Sequence, residues 1–524
     1  MSRNYISEKA GIASLVLAEG VLVGVAAMAM IPSFTVAGLE FERTNLFGST
    51  TLAPASAPAE FKADINNLDK ELEQFEQLKT VVADTSENEV RVIDTWCRQA
   101  PDTTVRKKIK ADSSWCLAGR PGFVPIEDYD TSAVSALDRF GSKLLGGRPV
   151  RIAFMGDSFI EGDIITSDLR KMMQATFGGS GVGFIPADIP FKIYNKSVTR
   201  LSSGWQSYSI MKQKSVPERI RDKFLISGYM ACGGPGAGTV WEDKTENPGA
   251  DQAVIYLYSL TDSKVSVTVN GTDTCSFRIP ADGLLHSVEL QAAADKVSIE
   301  VLSGETICYG VRIATCTGVC IDNFSVRSNN GQAIFGASAM LNRQLDELVD
   351  YDMVILQYGL NILQDGKTSY IKYAQQLGDI VTYIRKCFPD AAVLVMGVSD
   401  RWIKDQGAEE FRPLESASIL TEAQRKVAEK TGVCFWNTYK AMESLGGMSG
   451  FVENGWVSAD HTHINYRGGR AFASKMYDAM LQCVFEAWDR KRAEELAPVH
   501  SEGLDSLMRR EMLLQTGLAP ASGL

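Results

Sequence analysis

The feature that most constrains this chain is a buried-strand pattern that passes through a tight turn into a helix. The apolar run at 150–155 ends in Gly156-Asp157-Ser158. Apolar side chains then recur at i, i+4, i+7 and i+8, at Ile165, Leu169, Met172 and Met173, which predicts a helix closed by Gly178-Gly179. Strand, tight turn and helix begin a parallel α/β unit, so we expect a parallel sheet.

Other segments continue this alternation. Helical spacing occurs at 61–79 and 126–145 before the first strand, and at 370–387, 421–431 and from 469 after it. Further buried strands are predicted at 353–356, 392–396 and 433–436. Between the two parts, residues 253–314 alternate apolar and polar side chains around turns such as Asn270-Gly271, which is typical of antiparallel hairpins. About six short strands there are enough for a small sandwich.

These patterns divide the chain into six predicted segments. They are an N-terminal anchor or signal segment (1–35), a linker with a helical lead-in (36–125), the first part of an α/β domain (126–200), an inserted β module (201–316), the second part of the α/β domain (317–490) and a helical tail (491–524). The parallel sheet is thus expected to be interrupted in sequence by the β module.

Chemically useful residues follow predicted strands, where α/β sheets place their sites. Ser158 lies between a strand and a helix N-terminus, whose N–H groups and dipole favour an oxyanion; the alternative is a helix N-cap serine. Gly331 ends the segment Arg327-Ser328-Asn329-Asn330-Gly331 and Asn361 ends Gly359-Leu360-Asn361. Either segment can also be an ordinary turn.

The fourth segment contains Asp460-His461-Thr462-His463. A carboxylate three residues before an imidazole can orient it as the base for a serine nucleophile. With four histidines in the chain, such a base has few candidate positions. The alternative is a metal site at His461 and His463, although no HExxH or comparable third-ligand motif accompanies them.

In this order the four segments resemble the SGNH hydrolases, the GDSL-type esterase superfamily. The resemblance rests on Ser158 in a GDS block, Gly331, Asn361 in a G-x-N block, and Asp460 and His463 in a D-x-x-H block. It implies a flavodoxin-like, three-layer parallel sheet with helices on both faces. Ile362 stands where many relatives have an acidic residue, and the glycines at 178–183 offer an alternative second block.

The resemblance also implies roles for these residues. Ser158 would be the nucleophile, His463 its base and Asp460 the group that orients His463. The backbone N–H groups of Ser158 and Gly331 and the Asn361 amide would form the oxyanion hole, and no metal or cofactor is implied. A long β insert between the Ser and Gly blocks is similar to that of bimodular bacterial peptidoglycan O-acetylesterases, which implies an acetylated glycan as substrate.

Other functions remain open from the sequence. An O-acetyltransferase would use the same triad, and a non-catalytic glycan-binding envelope protein could retain the fold. Trp436 and Trp456 are candidates for glycan contact, along with Trp402, although each can also be a core residue.

The N-terminus predicts export. Residues 10–31 form an apolar run long enough to cross a bilayer, preceded by Arg3 and Lys9 and stopped by Pro32. Glu19 within it would cost about 3 kcal/mol if ionised, unless it is protonated or paired with a membrane partner. The alternative is a signal peptide cleaved after Ala27-Met28-Ala29. These two alternatives predict a periplasmic or other extracytoplasmic location, with the chain either anchored to the inner membrane by an N-terminal helix or secreted after signal cleavage.

The net charge and the cysteine spacing limit the binding partners, metal sites and disulfides that the chain is expected to have. A formal net charge of -11, without a dense stripe of Lys and Arg, argues against duplex nucleic acid. None of the ten cysteines forms a CxxC pair, so zinc-ribbon sites are not expected. Cys97 with Cys116, and Cys316 with Cys320, are conceivable disulfides, with buried free thiols as the alternative.

Overall fold

The computed structural model describes residues 34–36, 39–41, 65–85, 109–246 and 248–515. Two compact units divide the chain, Met1–Glu60 and Phe61–Leu524. In the first, the described residues form an antiparallel strand pair, β1 (Phe34–Val36) and β2 (Leu39–Phe41). The second unit carries all four predicted motifs.

The helices predicted from the apolar spacing are present in the second unit with shifted bounds, and three further helices, at Ala339–Val349, Thr438–Glu443 and Gly447–Glu453, were not predicted. The described α-helices are α1 (Ile65–Thr85), α2 (Ala136–Leu145), α3 (Thr166–Phe177), α4 (Ala339–Val349), α5 (Ile371–Cys387), α6 (Ser416–Thr431), α7 (Thr438–Glu443), α8 (Gly447–Glu453) and α9 (Tyr466–Gln515).

The strands of this unit continue the numbering. They are β3 (Ile126–Glu127), β4 (Val150–Gly156), β5 (Gly183–Pro186), β6 (Val198–Ser203), β7 (Gln206–Ser209), β8 (Tyr229–Gly233), β9 (Gly238–Asp243), β10 (Gln252–Ser259), β11 (Ser263–Val269), β12 (Asp273–Ile279), β13 (His286–Gln291), β14 (Lys296–Ser303), β15 (Thr306–Ala314), β16 (Val319–Ser325), β17 (Met353–Gln357), β18 (Ala392–Met396), β19 (Trp402–Lys404), β20 (Phe411–Pro413) and β21 (Cys434–Trp436).

A mixed sheet forms the α/β part, in the order β16-β4-β17-β18-β21-β3. Its first five strands are parallel and β3 pairs antiparallel with β21 at the edge. Every residue of β4, β17 and β18 is buried, which explains why these strands are continuous apolar runs. Helices α2, α3 and α9 pack mainly together, and so do α4, α5 and α6.

The β module has two antiparallel sheets. One has the order β13-β10-β15-β8-β7, with β5 also on β15, and the other has the order β12-β11-β14-β9-β6. A separate apolar cluster fills the module, and it includes the fully buried Trp241. The module's strands begin earlier than the predicted boundary at residue 201, because β5 and β6 pair with later strands of the module.

One predicted helix is only half correct. Residues 126–145 were expected to be helical throughout, but Ile126 lies opposite Trp436 in an edge strand. The helix begins later because Ser135 and Asp138 form a reciprocal capping box at its N-terminus.

Two other predictions concern the N-terminus and the cysteines. The apolar run at 10–31, Glu19 and Cys97 lie outside the described residues. Among the residues that are described, no helix is both long and apolar enough to cross a membrane. Cys316 and Cys320 are not bonded to each other, because both are free thiols and Cys320 is buried beside Asp322.

A buried ion pair fixes the segment that follows Ser158. Arg170 of α3 donates to both carboxylate oxygens of Asp163, at 2.9 and 3.1 Å, and also to the carbonyl oxygen of Ile321. Ser197, which precedes the β module's strand β6, donates to Asp163 at 2.7 Å. Burial raises the pKa of Asp163, but Arg170 outweighs this effect and holds that pKa below its usual value.

We expect Asp163→Ala to lower the free energy of unfolding by about 3–5 kcal/mol, because it leaves the Arg170 guanidinium buried without an anion. Arg470→Ala is the matched control. It removes an ion pair to Asp168 whose arginine side chain is 70% exposed, so its effect should stay below about 1 kcal/mol. Urea unfolding of both variants measures the difference, and equal losses would contradict the prediction.

Candidate active site

The parallel register brings the predicted motifs to one edge of the sheet. Gly156 at the end of β4 pairs with Ser325 of β16 on one side and Gln357 of β17 on the other. The loops that follow these three strands therefore leave the sheet side by side. They carry Ser158, the segment ending at Gly331, and Asn361.

Ser158, His463 and Asp460 form a hydrogen-bonded chain. Ser158 Oγ lies 3.0 Å from His463 Nε2, and His463 Nδ1 lies 2.5 Å from Asp460 Oδ2. The nucleophile and its base are thus 305 positions apart in sequence and within hydrogen-bonding distance in space. This is the arrangement in which an imidazole can accept the serine proton while a carboxylate holds its other nitrogen.

The loop that carries Asp460 and His463 is fixed by its own backbone. Asp460 Oδ1 accepts from the backbone N–H groups of Thr462 and His463, each at 3.0 Å. The N–H of Ser458 donates to the His463 carbonyl at 2.7 Å, and His461 takes a left-handed backbone conformation at φ 48°. The tight turn explains why the motif needs so few residues to place a carboxylate beside an imidazole.

Electrostatics within the triad favour a charged pair. The hydrogen bond that His463 donates to Asp460 raises the pKa of His463 above its ordinary value, against the opposing effect of burial. Burial raises the pKa of Asp460, but the hydrogen bonds from His463 and Thr462 outweigh it and hold that pKa well below its usual range. Asp460 is therefore ionised whenever His463 gains a proton, which is what a general base requires.

The N–H of Ser158 and the amide of Asn361 lie at the same edge. Within the described chain, the Ser158 N–H has no acceptor, so it is free to bind an oxyanion. Asn361 Nδ2 donates to Asp157 Oδ2 at 2.8 Å and to the Asn329 carbonyl at 2.9 Å. An oxyanion therefore has to replace Asn329 as the acceptor of one amide hydrogen.

Gly331 does not present the free donor that its predicted role requires. Its N–H donates to Asn329 Oδ1 at 2.9 Å, and the residue is buried. Its φ is 95°, and an added Cβ would meet Ile380 at 2.8 Å, so the turn's shape accounts for the glycine. Ser328 is exposed, has φ 61°, and has an N–H without an acceptor in the described chain. Sequence reasoning passed over it because a serine gives no sign of a left-handed conformation.

Asp157 is a site residue that sequence reasoning did not single out. It is completely buried, and burial raises its pKa to about 7. Its oxygens accept from the Phe159 N–H and from the Asn361 amide. Asp157 therefore orients Asn361 from the residue next to the nucleophile, and its position beside Ser158 was the available signal.

His461 packs against a small hairpin. Its ring stacks on Phe411 of β20 with the centroids 3.8 Å apart, and the Trp402 ring of β19 lies 6.2 Å away. Over the described part of the chain, no three His, Cys, Asp or Glu side chains are grouped as metal ligands.

The predicted aromatic contacts have different outcomes. Trp436 is wrong as a glycan contact, because it is 0% exposed in β21 and its Nε1 donates to the Val124 carbonyl. Trp456 is half-buried, with its ring edge-on to Phe451 at 5.3 Å, and Trp402 is also half-buried. The buried strand β21 requires an apolar side chain at Trp436. The sequence alone could not distinguish such a core tryptophan from a glycan-binding one.

The triad is open to solvent. The side chains of His463 and Asp460 are 39% and 42% exposed. A base this accessible needs no lid to open, so a bulky or polymeric substrate can approach it.

Comparison with known proteins gives matches by structure. A peptidoglycan O-acetylesterase structure has a TM-score of 0.57 and 22% identity, covering 68% of this chain and 99% of its own. A family two carbohydrate esterase from Cellvibrio japonicus has a TM-score of 0.22 and 10% identity, covering 55% and 98%. An acetyl xylan esterase has a TM-score of 0.23 and 16% identity, covering 31% and 81%.

No protein-family model matches the sequence, and no curated protein matches it. The likeness to the peptidoglycan O-acetylesterase extends over almost all of that structure and 68% of this chain, so the two chains share a fold. The predicted resemblance to peptidoglycan O-acetylesterases is thereby confirmed at the level of fold.

Proposed function

We propose that this protein is an exported serine esterase of the SGNH type, which removes O-acetyl groups from a cell-envelope or extracellular glycan. The observation that carries the proposal is the hydrogen-bonded chain from Ser158 through His463 to Asp460 at the carboxyl edge of the sheet. The free N–H of Ser158 and the Asn361 amide support it as donors to an oxyanion.

The reaction follows from this geometry. His463 Nε2 takes the Ser158 proton as Oγ attacks the ester carbonyl, and the oxyanion is held by the Ser158 N–H and the Asn361 amide. The sugar hydroxyl leaves with the proton from His463, which gives an acetyl-enzyme. A water molecule activated by His463 then attacks the acetyl carbonyl and releases acetate and Ser158.

The substrate class is supported by three features. The triad is open enough for a polymer, the β module provides a second folded surface in the same compact unit, and the chain shares its fold with a peptidoglycan O-acetylesterase. Peptidoglycan or another acetylated polysaccharide is therefore our first choice. The proposed location, outside the cytoplasm and held at the inner membrane by residues 10–31 or secreted after cleavage, rests on the sequence alone.

Acetate release by the protein from acetylated glycans tests this function. Peptidoglycan, xylan and a chromogenic acetate ester form a suitable panel, with acetate quantified at each time point. Release from at least one glycan is expected. Transfer of acetyl from the chromogenic ester to unacetylated glycan, without net acetate release, would instead indicate an O-acetyltransferase. No reaction with any ester would leave only a glycan-binding role.

We expect the rate to rise with pH through a midpoint above 6.5, the ordinary value for histidine. The physical reason is that His463 acts only when neutral and that Asp460 raises its pKa. NMR titration of the four histidines in Ser158→Ala protein measures this pKa directly. Asp460→Asn should move the His463 midpoint to lower pH. A midpoint at or below 6.5, or one that Asp460→Asn leaves in place, would contradict the assignment.

A further inference from the structure

Arg401 lies between two of the loops that form the candidate active site. It follows β18 at the carboxyl edge of the sheet. Its Nε donates to Thr462 Oγ1 at 3.1 Å, and its Nη1 lies 3.4 Å from the Leu360 carbonyl. Thr462 is the neighbour of His463, and Leu360 is the neighbour of Asn361. The guanidinium therefore sits beside both the base and the oxyanion donor.

The charge on Arg401 has no counter-ion. Arg401 is half-buried, yet no carboxylate in the described chain lies within 4.0 Å of its guanidinium. The neighbouring Asp400 carboxylate accepts from the Arg401 backbone N–H, at 2.8 Å, and not from the guanidinium. Burial lowers its pKa, and Asp460, whose oxygens are already bonded to His463 and Thr462, acts only at longer range. Arg412 in the adjoining hairpin contrasts with it, because Arg412 is paired with both Asp365 and Asp405. A partly buried arginine without a partner is uncommon in a folded protein.

The two contacts leave donors unused. A guanidinium has five N–H donors in a planar fork, and Arg401 uses one on Nε and one on Nη1. Nη2 has no acceptor in the described part of the chain. The backbone keeps the residue in place, since the Leu414 N–H donates to its carbonyl at 2.8 Å and the Trp402 N–H donates to the His461 carbonyl at 3.2 Å.

We propose that Arg401 binds a carboxylate of the substrate, so that the preferred substrate is an acetylated sugar that itself carries a carboxylate. Uronic acids and sugars with a lactyl ether have this chemistry. The inference rests on the proposed esterase function and narrows its substrate class. A carboxylate fits the fork in a bidentate manner, and its binding would supply the missing counter-charge next to the acetyl group undergoing attack.

Matched sugar pairs test the proposal. Acetylated galacturonic, glucuronic and muramic acid derivatives are each compared with the methyl ester of the same carboxyl group, so that only the charge differs. We expect kcat/KM of the wild type to favour the free acid by about tenfold or more in at least one pair, as for a charge-assisted hydrogen bond. Arg401→Gln should bring that ratio close to 1.

Two further variants separate recognition from structure. Arg401→Lys keeps the charge without the fork and should retain part of the preference. Arg412→Gln removes the same charge from an arginine already paired on the surface, and should leave the ratio and the chromogenic rate as in the wild type. Circular dichroism and thermal unfolding verify that each variant is folded.

The outcomes distinguish carboxylate binding by Arg401 from a purely structural role of this residue. If Arg401→Gln lowers kcat/KM equally for acid and ester, Arg401 only joins two loops and the proposal is wrong. The proposal is also wrong if, in every pair, the wild type either fails to turn over the free acid or shows no preference for it. This result can be obtained without any variant. If the wild type does not hydrolyse the chromogenic acetate ester, the esterase function itself is refuted.

Discussion

Replacing Ser158 with alanine should lower kcat for acetyl ester hydrolysis by about 10⁴-fold or more, because the acetyl-enzyme can no longer form. Ser158 Oγ is the atom placed 3.0 Å from the imidazole. The side chain is only partly buried, so its removal should have little effect on the free energy of unfolding. Steady-state hydrolysis of a chromogenic acetate, with thermal unfolding measured in parallel, checks both expectations.

A matched serine and a covalent label sharpen this test. Ser142→Ala makes the same change at an exposed position of α2 and should leave kcat unchanged. A sulfonyl fluoride should add one label to the wild type and none to Ser158→Ala, as judged by intact mass. Equal rates in Ser158→Ala and the wild type, or labelling of the variant at the same stoichiometry, would refute the serine mechanism.

Replacing His463 with glutamine is expected to lower kcat by about 10⁴-fold or more, for a reason linked to the first prediction. The serine hydroxyl is a weak nucleophile unless a base takes its proton, and His463 Nε2 is the base in contact with it. Because the two residues act as a unit, the double variant Ser158→Ala/His463→Gln should be no slower than Ser158→Ala alone.

His286→Gln is the control for loss of a histidine. His286 lies in β13 of the β module, where its Nε2 is 2.9 Å from Asp282. The His286→Gln variant should leave kcat unchanged. Additive losses in the double variant would mean that His463 acts on a step other than activation of Ser158. A fully active His463→Gln would place the base elsewhere.

Much of the fold was predictable because burial leaves a clear mark on sequence. A strand buried on both faces must be a continuous apolar run, as in β4 and β18, and a helix on the sheet shows apolar spacing, as in α3 and α5. The beginning of the β module was less predictable. Strand β5 is only four residues long, and its pairing with β15 joins segments more than 120 positions apart.

The site was predictable to the extent that chemistry requires particular residue types. A serine at a strand-to-helix turn and an Asp three residues before a His are rare enough together to be recognised. Backbone hydrogen bonding is not encoded in this way. The hydrogen bond from the Gly331 N–H to Asn329, and the left-handed conformation of Ser328, depend on how the 327–331 segment turns, with Gly331 packed against Ile380 and Tyr358.

The sequence by itself determined that a strand, Gly156-Asp157-Ser158 and a helix begin a parallel α/β unit, and that Asp460 and His463 can serve its serine. These features are local, since they follow from side-chain periodicity and from the spacing of two residues within one turn. Only the tertiary structure decided that Trp436 is core, that Asp157 orients Asn361 and that Arg401 stands unpaired beside the triad. Those facts depend on contacts between segments far apart in the chain, and sequence spacing does not specify which side chains meet there.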